Sequence, residues 1–231
     1  MSQSPVTKAM LLAAGEGRRM LPLTQDTPKP LLPVVSDTLI GHQLQRIRAA
    51  GLQQVIINVA YLGQQIIERL GHGADYDVTI AYSEEPQPLE TAGGINRALP
   101  LLGDGPFVLV NGDVWCDFDL AQLVDKMLPE QCLGHLVLVP NPSHNSGGDF
   151  ALVDGLLVPS AGADTSFTYS GIALLRPELI AHYPQRRERF GLKEVFDWAI
   201  AQGRLSGEVH SGHWLDVGTP ERLDQLRMHL R

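Results

Sequence analysis

The sequence predicts an α/β protein, a single domain over residues 1–231 with a mostly parallel central sheet and helices on both faces. Three observations predict it. Short apolar runs alternate with longer segments of helical spacing through the first half of the chain. The runs are apolar at nearly every position, as strands covered on both faces are. No internal repeat, low-complexity tract or linker divides the chain.

Taken in order, residues 8–14 (KAMLLAA) read as a buried strand running into a glycine loop. Residues 39–50 read as a helix stopped by Gly51, Gln54–Val59 as a β-branched strand, and Gly63–Leu70 as a short helix. Residues 78–82 make a third strand, 93–99 a helix ended by Pro100, and 107–110 (FVLV) a fourth strand. The second half is less regular. It offers a strand at Gly134–Val139, a polar loop at 141–148, a hairpin within 151–158 and a strand at Thr168–Leu175. A helix over 193–201 is closed by Gly203, and a last one over 220–230 begins with proline, a favoured first helical residue.

Composition excludes several function classes. A net charge of −8 gives no electrostatic support for nonspecific binding to nucleic acid or anionic membranes, so polyphosphates must be met by a local site. Cys116 and Cys132 form no CxxC pair, which argues against a disulfide scaffold or zinc site and for a reducing compartment. Residues 1–8 lack the layout of a secretory leader, and no apolar run approaches the roughly 18 residues a bilayer requires. The expectation is a cytoplasmic protein, a monomer or small homo-oligomer, acting on small molecules.

The most informative stretch is LLAAGEGRRMLPLTQDTPKPLLPV, residues 11–34. A glycine loop directly after a strand, at the carboxyl edge of a parallel sheet, is where α/β proteins bind ligands. Gly15 and Gly17 permit tight turns and let backbone N–H groups approach phosphate oxygens. Neither GxxxxGK[ST] nor GxGxxG is present, because Met20 stands where the third glycine would be. A bare GxG is more readily a structural turn than a site. The cations alter that balance: Arg18 and Arg19 follow at once, and Lys29 lies between two prolines. Prolines 22, 28, 30 and 33 stiffen the segment. Fixed cations on a stiff loop suit a triphosphate whose leaving pyrophosphate needs charge neutralisation.

Two carboxylates complete the candidate chemistry. Asp113 follows Asn111 and Gly112 at the end of the FVLV strand, and Asp216 lies in WLDVGT. Either alone reads as a turn former or helix cap. Together they suit magnesium, which takes oxygen ligands and commonly one or two carboxylates plus phosphates.

The segment from Gly15 to Pro30 resembles the GxGxRMxPLT…PKP signature of sugar-1-phosphate nucleotidyltransferases, and NGD with WLDVGT resembles that family's carboxylate motifs. The resemblance spans nearly the whole chain and implies a Rossmann-like nucleotidyltransferase fold. It implies catalytic roles for Arg19, Lys29, Asp113 and Asp216, with Mg2+ held by Asp113 and Asp216. Nucleotide contacts are implied for Ala13, Gly15, Gly17, Arg18, Arg19 and Lys29. In residues 83–94 the base-recognition loop is implied, with Thr91 and Gly93 near base or ribose; Ala92 departs from the glycine many relatives have. Asn111, Asp149 and Gly171 are the candidate sugar-binding residues. His144 in the polar loop and His213 beside Trp214 are only secondary candidates to line the cavity, and His135 reads as a core or surface residue.

Two departures narrow the expectation. The Glu-Lys-Pro element common in thymidylyltransferases is replaced by Val139, Pro140, Asn141 and Pro142, and no hexapeptide-repeat β-helix follows the last helix. The short length, NGDVW, PLET and GDF are most similar to enzymes that uridylylate N-acetylmuramic acid 1-phosphate in cell-wall sugar recycling. Mannose-1-phosphate with GTP and glucose-1-phosphate with dTTP are the alternative pairs. Asp117–Phe118–Asp119 forms a DxD, the metal motif of nucleotide-sugar glycosyltransferases, though it reads more simply as a cap before a helix over 120–127. A noncatalytic nucleotide-sugar sensor is a third reading, which the presence of Asp113, Asp216 and Lys29 disfavours.

Overall fold

The structure, a computed structural model, describes residues 4–231; the first three residues of the segment read for a leader lie outside the described residues. β1 (Lys8–Leu12) leads through two 3-10 turns, Arg18–Met20 and Lys29–Leu31, to a small ribbon of β2 (Pro33–Val34) and β3 (Asp37–Thr38). Next come α1 (Leu39–Ala49), β4 (Gln54–Val59), α2 (Gly63–Leu70), β5 (Thr79–Glu84) and α3 (Glu90–Leu102). β6 (Phe107–Asn111), β7 (Val114–Cys116), α4 (Ala121–Val124) and β8 (Gly134–Val139) follow. The rest comprises β9 (Phe150–Val153), β10 (Leu156–Pro159), β11 (Thr168–Leu175), α5 (Glu178–Ala181), α6 (Leu192–Ile200), β12 (Leu205–Val209), β13 (Trp214–Asp216) and α7 (Pro220–His229).

Nine strands form one sheet in the order β5-β4-β1-β6-β11-β8-β12-β10-β9. All but β10 and β11 point the same way, so the sheet is mostly parallel. Alternate residues of each strand enter opposite layers. Ala9 and Leu11 of β1 join Ile40, Leu44 and Ile47 of α1 and Ile66 of α2, whereas Met10 joins Ile95 of α3 and Val195 and Phe196 of α6. Burial on both faces explains why these strands read as continuous apolar runs. A third, smaller cluster sets Met20 and Val34 against Val217, Leu223 and Leu226, so α7 packs beneath the glycine loop.

Three features depart from the sequence expectation. The third helix starts at Glu90, not at residue 93, and continues through Pro100 to Leu102. Its first turn has no capping side chain; instead Ala92 and Gly93 donate to the carbonyl of Phe190 at 3.1 and 3.0 Å, a long-range partner that no local pattern reveals. Pro100 sits in the last turn, where only one helical bond is lost and Gly103 N–H closes the end on Leu99 O at 2.9 Å. The helix expected over 120–127 shrinks to Ala121–Val124. The sequence reading also lacked β7, β12 and β13, whose three to five residues are too few to show a period.

His135 is a buried core residue between β8 and β12, its Nδ1 2.8 Å from Ser206 Oγ and Nε2 2.9 Å from Glu208 Oε1. Burial, helped by Lys126, pushes its pKa below the usual 6.5, and Glu208 only partly opposes this. The neutral ring therefore stabilises the fold above about pH 6.5, and that contribution is lost as pH falls through the lowered folded-state value. His135→Gln is expected to be the less stable protein at pH 7.5, with the gap to wild type narrowing between pH 7 and 5 in urea unfolding.

Candidate active site

β1, β4 and β6 end level: Leu12 pairs with Asn58 on one side and Asn111 on the other. The chain leaves β1 towards β4 and β5, then returns to place β6 on β1's other flank. That reversal opens a crevice at the carboxyl ends of β1 and β6, where α/β sheets bind ligands. Two cavities lie there. One, of about 380 Å³, is lined by residues 12–15, Gly17, Arg18, Arg19, Lys29, Asn58, Glu85, residues 88–91, Asn111, Gly112, Asp113 and Gly218. A second, of about 250 Å³, shares Asn111 and Asp113 and adds His144, Asn145, Thr168, Tyr169, Gly171, Trp214 and Asp216.

The glycine loop is fixed by its own carbonyls. Gly17 has φ 62° and a Cβ there would lie 3.1 Å from Thr24 and 3.2 Å from Lys29, so the turn demands glycine on both counts. Its carbonyl accepts from Met20 N–H at 2.8 Å and from Thr24 Oγ1 at 2.9 Å. Tyr61 Oη donates to the carbonyls of Thr24 and Gln25, which pins the far side of the loop to the start of α2. Gly15, Gly17, Arg18, Arg19 and Lys29 thus all reach the larger cavity, with Arg18 also paired to Glu16.

A buried relay, which no sequence motif marks, holds this wall. Ala13 N–H donates to Asn58 Oδ1 at 2.9 Å, Asn58 Nδ2 donates to Glu85 Oε1 at 2.7 Å, and Leu89 N–H donates to Glu85 Oε2 at 2.9 Å. Ala13 therefore lines the cavity with its N–H already engaged. Burial pushes the Glu85 carboxyl above its usual range, with the two hydrogen bonds opposing the shift. Glu90, beside it, holds φ 62° and pairs with Arg189 at 3.2 Å. Thr91 lines the cavity, and its Oγ1 accepts from Leu192 N–H at 2.7 Å. Gly93 stands away from the cavity wall. Its N–H is spent on Phe190, and a Cβ would meet Glu188 O at 2.6 Å, so it serves close packing against residues 188–190.

The carboxylates meet across a short ladder. β7 and β13 are antiparallel, Val114 opposite Asp216, and Val217 N–H donates to Asp113 O at 2.7 Å. Asp113 and Asp216 thereby line the same smaller cavity. Each has one oxygen paired: Asp113 Oδ2 with Lys29 Nζ at 2.6 Å, and Asp216 Oδ1 with Arg222 and with His144 Nε2 at 3.0 Å. The other oxygen of each has no hydrogen bond among the described residues. Two such hard donors on one cavity fit a divalent ion of the magnesium type.

On the remaining wall, Gly171 has φ 84° and lies so close to Asn111 that a Cβ would be 2.8 Å from its amide nitrogen. It sits at the irregularity where β11 slips register on β8. Asn111 faces both cavities. Asp149 lies outside the cavity lining: Oδ2 accepts from Tyr169 N–H at 2.8 Å and Oδ1 from Asn145 Nδ2 at 3.2 Å, which makes it a support for the Asn145 loop. His213 also stays outside, edge-on to Trp115 and tilted against His229. The DxD pair is diverted too, Asp117 to His210 Nε2 at 2.6 Å and Asp119 to the N–H of Ala121 at 3.0 Å. Cys116, Asp117 and His210 do converge. Burial pushes the Cys116 thiol up, away from the thiolate a metal needs, and Asp117 and His210 satisfy one another.

Residues 8–148 match the nucleotidyl transferase family model. The chain is 48% identical over 224 residues to the N-acetylmuramate alpha-1-phosphate uridylyltransferase of Neisseria meningitidis serogroup B, covering 95% of this chain and 96% of that one. It is 36% identical over 235 residues to the enzyme of the same name from Caulobacter vibrioides, covering 96% and 95%. A solved putative glucose-1-phosphate thymidylyltransferase from Bacillus anthracis shares the fold, with a TM-score of 0.86 at 20% identity over 98% of this chain and 96% of that one.

Glu85 accepts from two donors that face it from different elements, and glutamine can accept from only one without turning its own amide on the other. Glu85→Gln is therefore expected to lower stability by about 1–3 kcal/mol, the cost of an unmatched buried donor. Chemical denaturation checks this, and nucleotide affinity is expected to fall with it because Ala13 depends on the same relay.

Proposed function

The chain belongs to the nucleotidyl transferase family, and we infer that it transfers a uridylyl group from UTP to N-acetylmuramic acid 1-phosphate, giving UDP-N-acetylmuramic acid and pyrophosphate. The observation that carries the reaction is Asp113 at the junction of two cavities, one walled by the glycine loop and its cations and the other by polar side chains suited to a sugar. The likeness to the two uridylyltransferases supports the substrate pair.

An oxygen of the sugar phosphate forms the new bond to the α-phosphorus, and the bond from that phosphorus to the bridging oxygen breaks as pyrophosphate leaves. Because the second ionisation of a phosphate monoester lies near pH 6, the attacking oxygen is already largely anionic and no general base is required. The protein's work is positioning and charge neutralisation. Arg19 and Lys29 offset charge on the triphosphate and on the departing pyrophosphate, while Gly15, Gly17 and Arg18 shape and line its cradle. Asp113 and Asp216 would hold Mg2+, which when bound supplies positive charge between the two reacting phosphates. Asn111, facing both cavities, orients the acceptor, and Thr91 borders the base side.

We place the enzyme in the cytoplasm, in the reuse of cell-wall amino sugars. No helix of the described residues is long and apolar enough to cross a membrane. Glycosyl transfer is disfavoured by the diversion of both DxD carboxylates to internal partners.

The test is pyrophosphate release with Mg2+ across a matrix of nucleoside triphosphates and sugar 1-phosphates. Selective turnover of UTP with N-acetylmuramic acid 1-phosphate is expected; preference for GTP with mannose 1-phosphate, or for dTTP with glucose 1-phosphate, would overturn the substrate assignment. Asp113→Asn is expected to lower kcat by at least ~100-fold, the scale of losing a transition-state charge stabiliser, with an unchanged unfolding midpoint.

A further inference from the structure

A sugar 1-phosphate brings a phosphate of nearly two negative charges into a cavity bordered by Asp113 and Asp216, both carboxylates. Lys29 lies with the glycine loop in the larger cavity and is paired to Asp113. An ion held by these carboxylates would be shared with the nucleotide, so the acceptor's own phosphate still lacks a protein cation. No lysine or arginine lines the smaller cavity among the described residues, and Asn141 near its rim is committed internally, donating to Ser166 Oγ at 3.0 Å and accepting from Thr168 Oγ1 at 3.0 Å.

One guanidinium stands immediately behind that wall. Arg222, in the first turn of α7, pairs through Nη1 with Asp216 Oδ1 and lies 3.0 Å from His144 Nε2. Its Nη2 points the other way, towards Gly218 at the edge of the larger cavity. A Cβ on Gly218 would sit 2.8 Å from Arg222 Nη2 and 3.1 Å from Arg19 Nη2. The absent side chain leaves a gap where two guanidinium groups approach one spot, an arrangement that favours an anion between them. The side chain is only 14% exposed, held by the α7 cluster beneath the glycine loop.

We propose that Arg222 binds the phosphate of the sugar 1-phosphate, and that Asp216 is its counter-ion only until substrate arrives. Once Asp216 serves the divalent ion, the acceptor phosphate takes its place on the guanidinium, with His144 alongside. Arg222 is thus the acceptor-side counterpart of Arg19, across Gly218. This rests on the sugar-1-phosphate reading of the smaller cavity.

Two variants separate the roles, Arg222→Gln and Arg222→Lys, each first checked for a wild-type unfolding midpoint. In steady state, Arg222→Gln is expected to raise KM for N-acetylmuramic acid 1-phosphate by ~10–100-fold, the value of a charge-assisted hydrogen bond, and KM for UTP by less than about 3-fold. Arg222→Lys, which keeps the charge but loses the fork, is expected to fall between them. The second readout is binding with Mg2+ but without UTP, followed by tryptophan fluorescence because Trp214 lines the same cavity. Wild type is expected to bind N-acetylmuramic acid 1-phosphate more tightly than N-acetylmuramic acid itself, and Arg222→Gln to abolish that difference while leaving the unphosphorylated sugar unaffected. A retained difference would overturn the proposal. Equal weakening of both sugars would also overturn it, since Arg222 would then be reading the lactyl carboxylate or merely holding the wall. If wild type releases no pyrophosphate from this substrate pair, the functional reading fails; if wild type turns over and the split is absent, only the Arg222 assignment fails.

Discussion

Asp113 and Asp216 are separated by most of the second half of the sequence, and the short β7–β13 ladder, closed by Val217 N–H on Asp113 O at 2.7 Å, is what brings them to one cavity. Two carboxylates on one cavity repel, and each is offset here by a paired cation. Lys29 answers Asp113 from the glycine loop, and Arg222 with His144 answers Asp216 from α7 and the loop after β8. These same cations are the groups a phosphate would seek. The resting protein therefore keeps Lys29 and Arg222 paired with Asp113 and Asp216, and on our proposal metal and substrates exchange those partners.

The rest of the fold keeps that arrangement in register. Levelled ends of β1, β4 and β6 set the floor of the crevice. The Ala13–Asn58–Glu85–Leu89 relay ties three strand ends together on the nucleotide side, where burial makes every unmatched polar atom costly. Met20 anchors the glycine loop in the cluster that also seats Val217, Leu223 and Leu226. The C-terminal helix is thus a structural part of the carboxylate site, since it carries Arg222, the partner of Asp216, and fixes the residues that follow Asp216.

What was legible in the sequence was what is contiguous. The glycine loop announces itself because its glycines, cations and prolines lie within one short stretch, and buried parallel strands announce themselves by apolar runs. Contacts between distant positions left no such trace. Asn58 lies within an ordinary β-branched strand, and Glu85 lies in a Pro-rich loop; only their meeting gives them a role. The same holds for Asp149 and Gly93, which read as ligand contacts from their motifs. Asp149 spends both oxygens on Tyr169 and Asn145, and Gly93 lies against residues 188–190. The early start of α3 was hidden for the same reason, its cap being the carbonyl of Phe190.

The shared use of both carboxylates by one divalent ion is the central claim, and Mn2+ binding followed by electron paramagnetic resonance in the presence of UTP tests it without relying on turnover. A single Mn2+ site is expected, weakening at least ~10-fold in Asp113→Asn and in Asp216→Asn alike. Wild-type Mn2+ affinity in Asp216→Asn would contradict it, leaving Asp113 as the sole protein ligand and Asp216 as no more than the anchor of Arg222.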